Sequence, residues 1–268
     1  MNAGKISVIA VLLSLLSFSI LPDCALAKYS GGAGTDGDPY RIGSAADLLT
    51  LAADATDYNK RFVLTADIDL DPKLPGRKVF TTAVIASDTD NTFYSFNGNP
   101  FTGIFDGNGH TISNMTINTG GIGNDFLGLF GSTVGQIKNL GLKNVNITGG
   151  DVSACLGGIA GMNGGRISNC YSTGEIIAGD ESPYLGGLAG YNYNNINNCF
   201  SRSTVSGGDI SSSIGGLVGR NDSCSISNCY SSGAVTGGSG AFDLGGAGGK
   251  KHRRHYQQLL FSRRQRAE

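Results

Sequence analysis

Two short motifs recur along the second half of the chain at almost constant spacing. The first reads LGLFG from Leu127, LGGIAG from Leu156, LGGLAG from Leu185, IGGLVG from Ile214 and LGGAGG from Leu244, in steps of 29, 29, 29 and 30 residues. The second follows the first four copies: IKNLGL from Ile137, ISNCY from Ile167, INNCF from Ile196 and ISNCY from Ile226. A weaker copy, ISNMTI from Ile112, stands after FTGIFDGNGH. Each unit holds short β-prone runs between Gly, Asn, Ser and Thr, and none has room for a long amphipathic helix. Strands this short cannot bury an apolar face alone, so neighbouring units must stack.

A parallel β-solenoid meets that requirement. About three strands per coil are expected, with the next coil about 4.8 Å along the axis. Equivalent residues then superpose. Ile137, Ile167, Ile196 and Ile226 are expected in one inward column, and Asn139, Asn169, Asn198 and Asn228 in another. Stacked Asn side chains can bond amide to amide from coil to coil. On this reading Asn198→Leu destabilises more than Asn192→Leu, because Asn192 lies outside the ladder position. Glycines are expected to let the backbone turn between faces.

These paired motifs, GGIAG, GGLAG and GGLVG each followed by x-I-x-N-[CL], resemble the GLUG-repeat family over roughly residues 100–249. The resemblance implies a right-handed parallel β-helix of the pectin-lyase-like kind. It also implies a bacterial secreted or surface protein such as an adhesin, or the non-catalytic part of an immunoglobulin A protease. The stretch from GTDGDPYRIGSAADLLTLA to FTGIFDGNGH is similar to the section that precedes such repeats. The fold expected is all-β, a right-handed solenoid with an N-terminal capping segment containing one short helix. In that helix, SAADLLTLAADA, Ser44 would be the N-cap and Asp47 would complete an approximate capping box.

The chain divides accordingly into a signal peptide (1–27), a lead-in cap (28–100), the repeat solenoid (101–249) and a basic tail (250–268). MNAGK, a long apolar run and the small residues ALA place signal cleavage between Ala27 and Lys28. A retained anchor, or lipidation at Cys24 after a poorly matching Pro22-Asp23, are the alternatives. No later run is long enough to span a bilayer, so the mature chain is expected outside the cell or at its surface. Residues 1–249 carry 13 basic and 20 acidic side chains, whereas 250–268 carry 7 and 1. An acidic body disfavours nucleic acid as partner. Surface glycans or proteins are the natural partners, and the oligomeric state stays open.

Candidate chemistry is sparse. GGAGTDGDP (31–39) resembles one calcium nonapeptide, but a single copy with Asp38 at the apolar position reads as a glycine turn. Asp67, Asp69 and Asp71 alternate in ADIDLDP, which places them on one strand face. A solvated face opposite Val63, Ile68 and Leu70 is the simpler reading, and a carboxylate site for calcium or glycan cleavage is the alternative. Asp106 reads as a turn residue, and His110 has no nucleophile or metal-spaced partner. The mature cysteines are Cys155, Cys170, Cys199, Cys224 and Cys229, an odd number. Three of them share one repeat position with Leu140, as a small apolar core column would; one disulfide, Cys224–Cys229 included, stays open. No cofactor and no metal are expected.

The functional expectation is a non-catalytic surface β-helix for adhesion, binding or spacing, and a C-terminally truncated piece of a longer array. A pectin-lyase-like polysaccharide lyase or hydrolase is the alternative. The truncation reading comes from the tail. Counting from Leu244, Ile, Asn, a small residue and an aromatic should fall at His255, Gln257, Gln258 and Leu259, and none does. Shifted by one base, and with arginine codons at 253 and 254 that begin with C, the codons from 250 permit KNTGAITNSF, in register with YNYNNINNCF (191–200). Lys251 onward is therefore read as out-of-frame translation, accidental in charge and unstructured. A nucleic-acid arm, or an amphipathic cap around Tyr256–Phe261, are the competing readings.

Overall fold

The computed structural model describes residues 27–90, 92–93, 95–222, 224–251 and 257–259. The apolar run read as a signal peptide and most of the basic tail lie outside the described residues. Every strand pairing among the described residues is parallel, and in the repeats each joins residues 29 or 30 apart. The fold is an all-β parallel solenoid of about five turns with a single short α-helix near its N-terminal end.

Each repeat coil contributes strands to four sheets, one more than the sequence suggests. Sheet 1 contains Gln136–Lys138, Arg166–Ser168, Ile196–Asn197 and the start of Ile226–Ser231. Sheet 2 contains Gly141–Thr148, Tyr171–Ile177, and Phe200–Ser201 with Thr204–Gly207. Sheet 3 contains Leu156–Gly157, Pro183–Gly186, Ser212–Gly215 and Phe242–Gly245. Sheet 4 contains Phe130–Thr133, Ala160–Asn163, Ala189–Asn192, Val218–Asn221 and Gly248–Lys251. Alternation sends every second residue inward. Columns of Leu156, Leu185 and Ile214, and of Ile147, Ile176 and Val205, are fully buried. Burial of each such side chain contributes about 1.5–3 kcal/mol.

The glycines of the first motif do a different job from the one expected. The corners are turned mainly by non-glycine residues in the left-handed region. Asn139, Asn169, Asn198 and Asn228 sit at φ 53, and Val152, Glu181 and Ile210 at φ 55–59. Phe126, Cys155, Tyr184, Ser213 and Asp243 turn the third corner at φ 55–63. The motif glycines instead permit close approach across a thin coil. A Cβ on Gly158, Gly187 or Gly216 would lie 2.0–2.2 Å from Oγ of Ser172, Ser201 or Ser231. One on Gly161, Gly190 or Gly219 would lie 2.5 Å from backbone atoms of Phe126, Cys155 or Tyr184. The invariant shape of the coil, rather than backbone freedom, accounts for G-G-x-x-G.

Residue 100 marks no structural break. Arg61–Leu64 pairs with Tyr40–Ile42 on one side and with Ile104–Asp106 on the other, so the lead-in continues sheet 1. The weaker motif copy also moves: Ile112 pairs with Leu142 in sheet 2, while Phe105 is the partner of Ile137. The helix Ala45–Ala53 starts at Ser44, whose hydroxyl accepts from Asp47 N, and buries Ala45, Leu48 and Leu51 over the first coil. The outer edge of Tyr40–Ile42 is closed by Ser30 N donating to Arg41 O and Arg41 N to Gly31 O. Further along, Phe80, Ile85 and Phe101 bridge to Ile117, Phe130 and Thr133. Unpaired strand edges invite association, and this end presents few. At the other end Phe242 and Leu244 are 51% and 43% exposed. Part of the tail is structured after all: Gln257–Leu259 pairs with Ile226–Ser231, Ser227 to Gln257 and Cys229 to Leu259. Backbone pairing is blind to side chains, so an open edge accepts a strand whose sequence does not repeat.

Candidate binding surface

The isoleucine column is continuous: Ile137, Ile167, Ile196 and Ile226 are partners in register and fully buried. The asparagine column beside it is not inward, which corrects the expectation. Asn139 is half-buried and Asn169, Asn198 and Asn228 are exposed at the left-handed corner between sheets 1 and 2. A residue in that conformation is turned out of the strand alternation, and Asn tolerates it where most residues do not. The side chains still bond along the axis. Asn198 Nδ2 donates to Asn169 Oδ1 at 3.2 Å, Asn169 Nδ2 to Asn139 Oδ1 at 3.0 Å, and Asn139 Nδ2 to Asp106 Oδ1 at 2.9 Å.

The buried amide ladder lies elsewhere, at Asn163, Asn192 and Asn221, all at most 3% exposed. Asn163 Nδ2 donates to Asn192 Oδ1, and Asn192 Nδ2 to Asn221 Oδ1, both at 2.6 Å. Asn192 Nδ2 also donates to Asn194 O, and Asn221 Nδ2 to Cys224 O, so the ladder fastens the turns between sheets 4 and 1. The signal was present as Asn at 163, 192 and 221, two steps of 29 that the more regular second motif overshadowed. A further ladder was also missed. Asp180 N donates to Asp151 Oδ1 at 2.9 Å and Asp209 N to Asp180 Oδ1 at 2.7 Å. In the opposite direction Ser153 N donates to Ser182 Oγ and Ser182 N to Ser211 Oγ, both at 3.1 Å. The fourth copy of this G-D-x-S turn has Ser239 and Ala241 in place of Asp and Ser.

Cys170, Cys199 and Cys229 form the small buried column expected, and all five described cysteines are free thiols. Cys170 N donates to Cys199 Sγ and Cys199 N to Cys229 Sγ, at 3.4 and 3.3 Å. The neighbouring Cys170 thiol, then burial, push the Cys199 thiol well up, and Cys229 is raised likewise by Cys199. Such thiols are poor nucleophiles.

The carboxylates singled out from the sequence are engaged by the protein. Asp67 accepts from Thr111 N at 2.8 Å, which holds its carboxyl below the usual range, and lies 3.3 Å from His110 Nδ1. Asp69 accepts from Asn114 Nδ2 and Asp71 N, and is lowered chiefly by the Asn114 amide. Asp71 accepts from Lys73 N. Burial raises Asp106, but bonds from Asn139, Asn108 N and Lys138 outweigh it and leave its pKa lowered. In the 31–39 turn Asp36 pairs with Arg61 and Asp38 with Arg41, so neither converges on a cation site. Among the described residues no group of three His, Cys, Asp or Glu could hold a metal. Ile68 and Leu70 are buried behind the aspartates as expected, but Val63 is not; Phe62 and Leu64 take the inward positions. At the predicted cleavage point Ala27 is exposed, Lys28 Nζ pairs with Asp54 and Asp57, and Tyr29 is buried against Tyr40 and Phe62.

Two surface features remain. On sheet 2, Tyr171, Phe200 and Tyr230 stack at 4.9 and 5.1 Å with rings within 6° of parallel, and the Tyr171 ring lies over Gly141. Each ring covers its neighbour's face, so this half-exposed column presents edges. Beside it, where left-handed Asn114 and Asn144 and the bare Gly174 dent the sheet, runs a groove of about 530 Å³. Its lining starts at Asp71 in the lead-in and ends at Thr204, along the axis. The second feature, on sheet 4, is Arg220 between the rings of Tyr184 and Tyr191, at 5.2 and 5.4 Å. Burial and the Asp222 carboxylate push the Tyr191 hydroxyl up to about 12. The Arg220 guanidinium is already occupied by Tyr184 OH and Asp222.

Comparison with known proteins bears on this architecture. The chain is 36% identical over 158 residues to halomucin of Haloquadratum walsbyi, covering 57% of this chain and 2% of that protein. It is 34% identical over 148 residues to a candidate Gly-rich membrane protein of Evansella cellulosilytica, covering 53% and 15%. The chain thus spans a small part of the length of these relatives. A crystal structure of a candidate immunoglobulin A1 protease from Bacteroides ovatus aligns over 80% of this chain and 78% of its own, with TM-score 0.49 and 21% identity. That likeness is too loose to carry its activity over. The family model of the GLUG motif matches residues 152–177, 181–206 and 210–236. Each match runs from the corner before sheet 3, through sheets 4 and 1, to the end of sheet 2. These segments are GLUG repeats, and each is one coil of a parallel β-solenoid.

Proposed function

We propose that this chain is a non-catalytic surface protein whose solenoid holds binding faces out from the cell, as part of adhesion or spacing. One observation carries the reading: outward side chains form columns and a groove that run along the axis over several coils, a surface suited to extended partners. The mucin-like and membrane-protein relatives support a location outside the cell or at its surface. No helix among the described residues is long and apolar enough to cross a membrane. The acidic carboxylates act as acceptors for backbone and amide groups, which suits a structural role better than acid–base work. Partners would be surface glycans or proteins, with nucleic acid disfavoured by the acidic body.

The test is cell fractionation with antibody labelling, followed by adhesion of beads coated with the full chain to cells or extracellular matrix. Surface labelling and saturable adhesion are expected. Retention in the cytoplasm, or release of unsaturated or reducing ends from pectin or alginate, would overturn the proposal in favour of another compartment or of the enzyme alternative.

A further inference from the structure

Resting on the surface-binding reading, we infer that the groove on sheet 2 is a binding site for a neutral, extended polysaccharide lying parallel to the solenoid axis. Along the groove Thr116, Asn146, Glu175 and Thr204 follow one another in register on successive coils, with Lys73 of the lead-in at one end. Three coil steps at about 4.8 Å make this column roughly 14 Å long. A site that repeats its groups at a fixed rise selects a ligand that repeats as well, and a chain of pyranose rings advances by about one coil per ring.

The chemistry narrows the class. The side chains of Thr116, Glu175, Thr204 and the Lys73 ammonium have no protein partner among the described residues, unlike the aspartates around them. The outer groups are hydroxyls and an amide, which both donate to and accept from sugar hydroxyls, and a carboxylate, which accepts from them. Asn114 and Asn144 are fixed by their own bond of 2.8 Å, and Asn114 by Asp69, so the floor is ordered before any ligand arrives. Charge excludes polyanions: Asp71 and Glu175 face a single cation, Lys73. Gly174 leaves the middle of the floor open, and a Cβ there would lie 2.1 Å from Val145 O. The neighbouring aromatic column supplies ring edges along one rim, not faces.

Affinity electrophoresis of the full chain in gels containing laminarin, galactomannan or polygalacturonate tests the site. At least one neutral polymer should retard the protein, and polygalacturonate should not. Glu175→Arg, from an exposed position, and Thr204→Arg, from a half-buried outward one, fill the groove and should each weaken retardation at least ten-fold with unchanged melting temperature. Arg166→Glu, exposed on sheet 1, should leave it intact. Equal retardation of all three variants, stronger binding of polygalacturonate, or no retardation by either neutral polymer would each overturn the inference. Adhesion retained in the absence of any polysaccharide binding would leave the surface-binding reading standing while this one fell.

Discussion

Two columns of asparagine run up the same coils, separated by the strand of sheet 1, and they do opposite things. Asn139, Asn169, Asn198 and Asn228 are corner residues in the left-handed region, half-buried at 139 and exposed beyond it, and the first three bond amide to amide along the surface. Asn163, Asn192 and Asn221 are extended, buried, and bonded to each other and to the next turn. Residue type and period are shared; the environment differs. Water competes for the first set, so its bonds are worth little net, while a lost partner in the second leaves a desolvated amide. The first column is conserved within the chain for its backbone conformation, and the second for its side-chain bonds.

The sharpest way to break this contrast is Asn192→Leu. It orphans Asn163 Nδ2 and Asn221 Oδ1 at once and removes the bond to Asn194 O, so a loss of about 3 kcal/mol is expected. Chemical denaturation should show it as a much lower midpoint. Asn198→Leu should cost only about 1–2 kcal/mol, the penalty for a left-handed leucine, and Asn198→Gly should recover most of that. This ranking reverses the one the sequence suggests. If Asn198→Leu proved the more damaging, the assignment of buried and exposed columns would be wrong.

Ile210 extends the comparison to a corner with no amide. It is 58% exposed at φ 59, a conformation unfavourable to a β-branched residue. Ile210→Gly relieves it, and offset by the freer unfolded chain should stabilise by up to about 1 kcal/mol, seen as a raised melting temperature. The smallest effect concerns the carboxylate at the foot of the exposed column. Asp106 has a lowered pKa in the fold, so it contributes stability above its unfolded value of about 3.9 and loses it as pH falls through the folded one. The stability difference between wild type and Asp106→Asn should therefore be present at pH 6 and shrink on acidification below about pH 4. A pH-independent difference in urea titrations would show that Asp106 acts by shape alone.

Several features were legible in the sequence. The spacing from Leu127 to Leu244 required coils of 29–30 residues, and hydrophobic alternation assigned Ile137, Ile167, Ile196 and Ile226 to the interior. Ser44 and Asp47 marked the helix start. The G-D-x-S turn and the Asn at 163, 192 and 221 were equally periodic, but their meaning was hidden, because a repeat states that residues superpose and not which way they point. The aromatic lead-in shows the limit from the other side. Phe62 and Phe105 stack in register at the head of the Ile137 column, Phe101 and Phe130 pack tilted or edge to face against them, and no period announced them.

The sequence by itself determined the architecture, since a fixed repeat of short strands leaves parallel stacking as the way to bury apolar faces. Tertiary structure decided which columns face in and which glycines are needed, and where the surface opens into a groove. These depend on the sign of φ at each corner. One left-handed residue reverses the side-chain alternation that follows, and it can be Asn, Val, Tyr or Cys here, so composition alone does not reveal it.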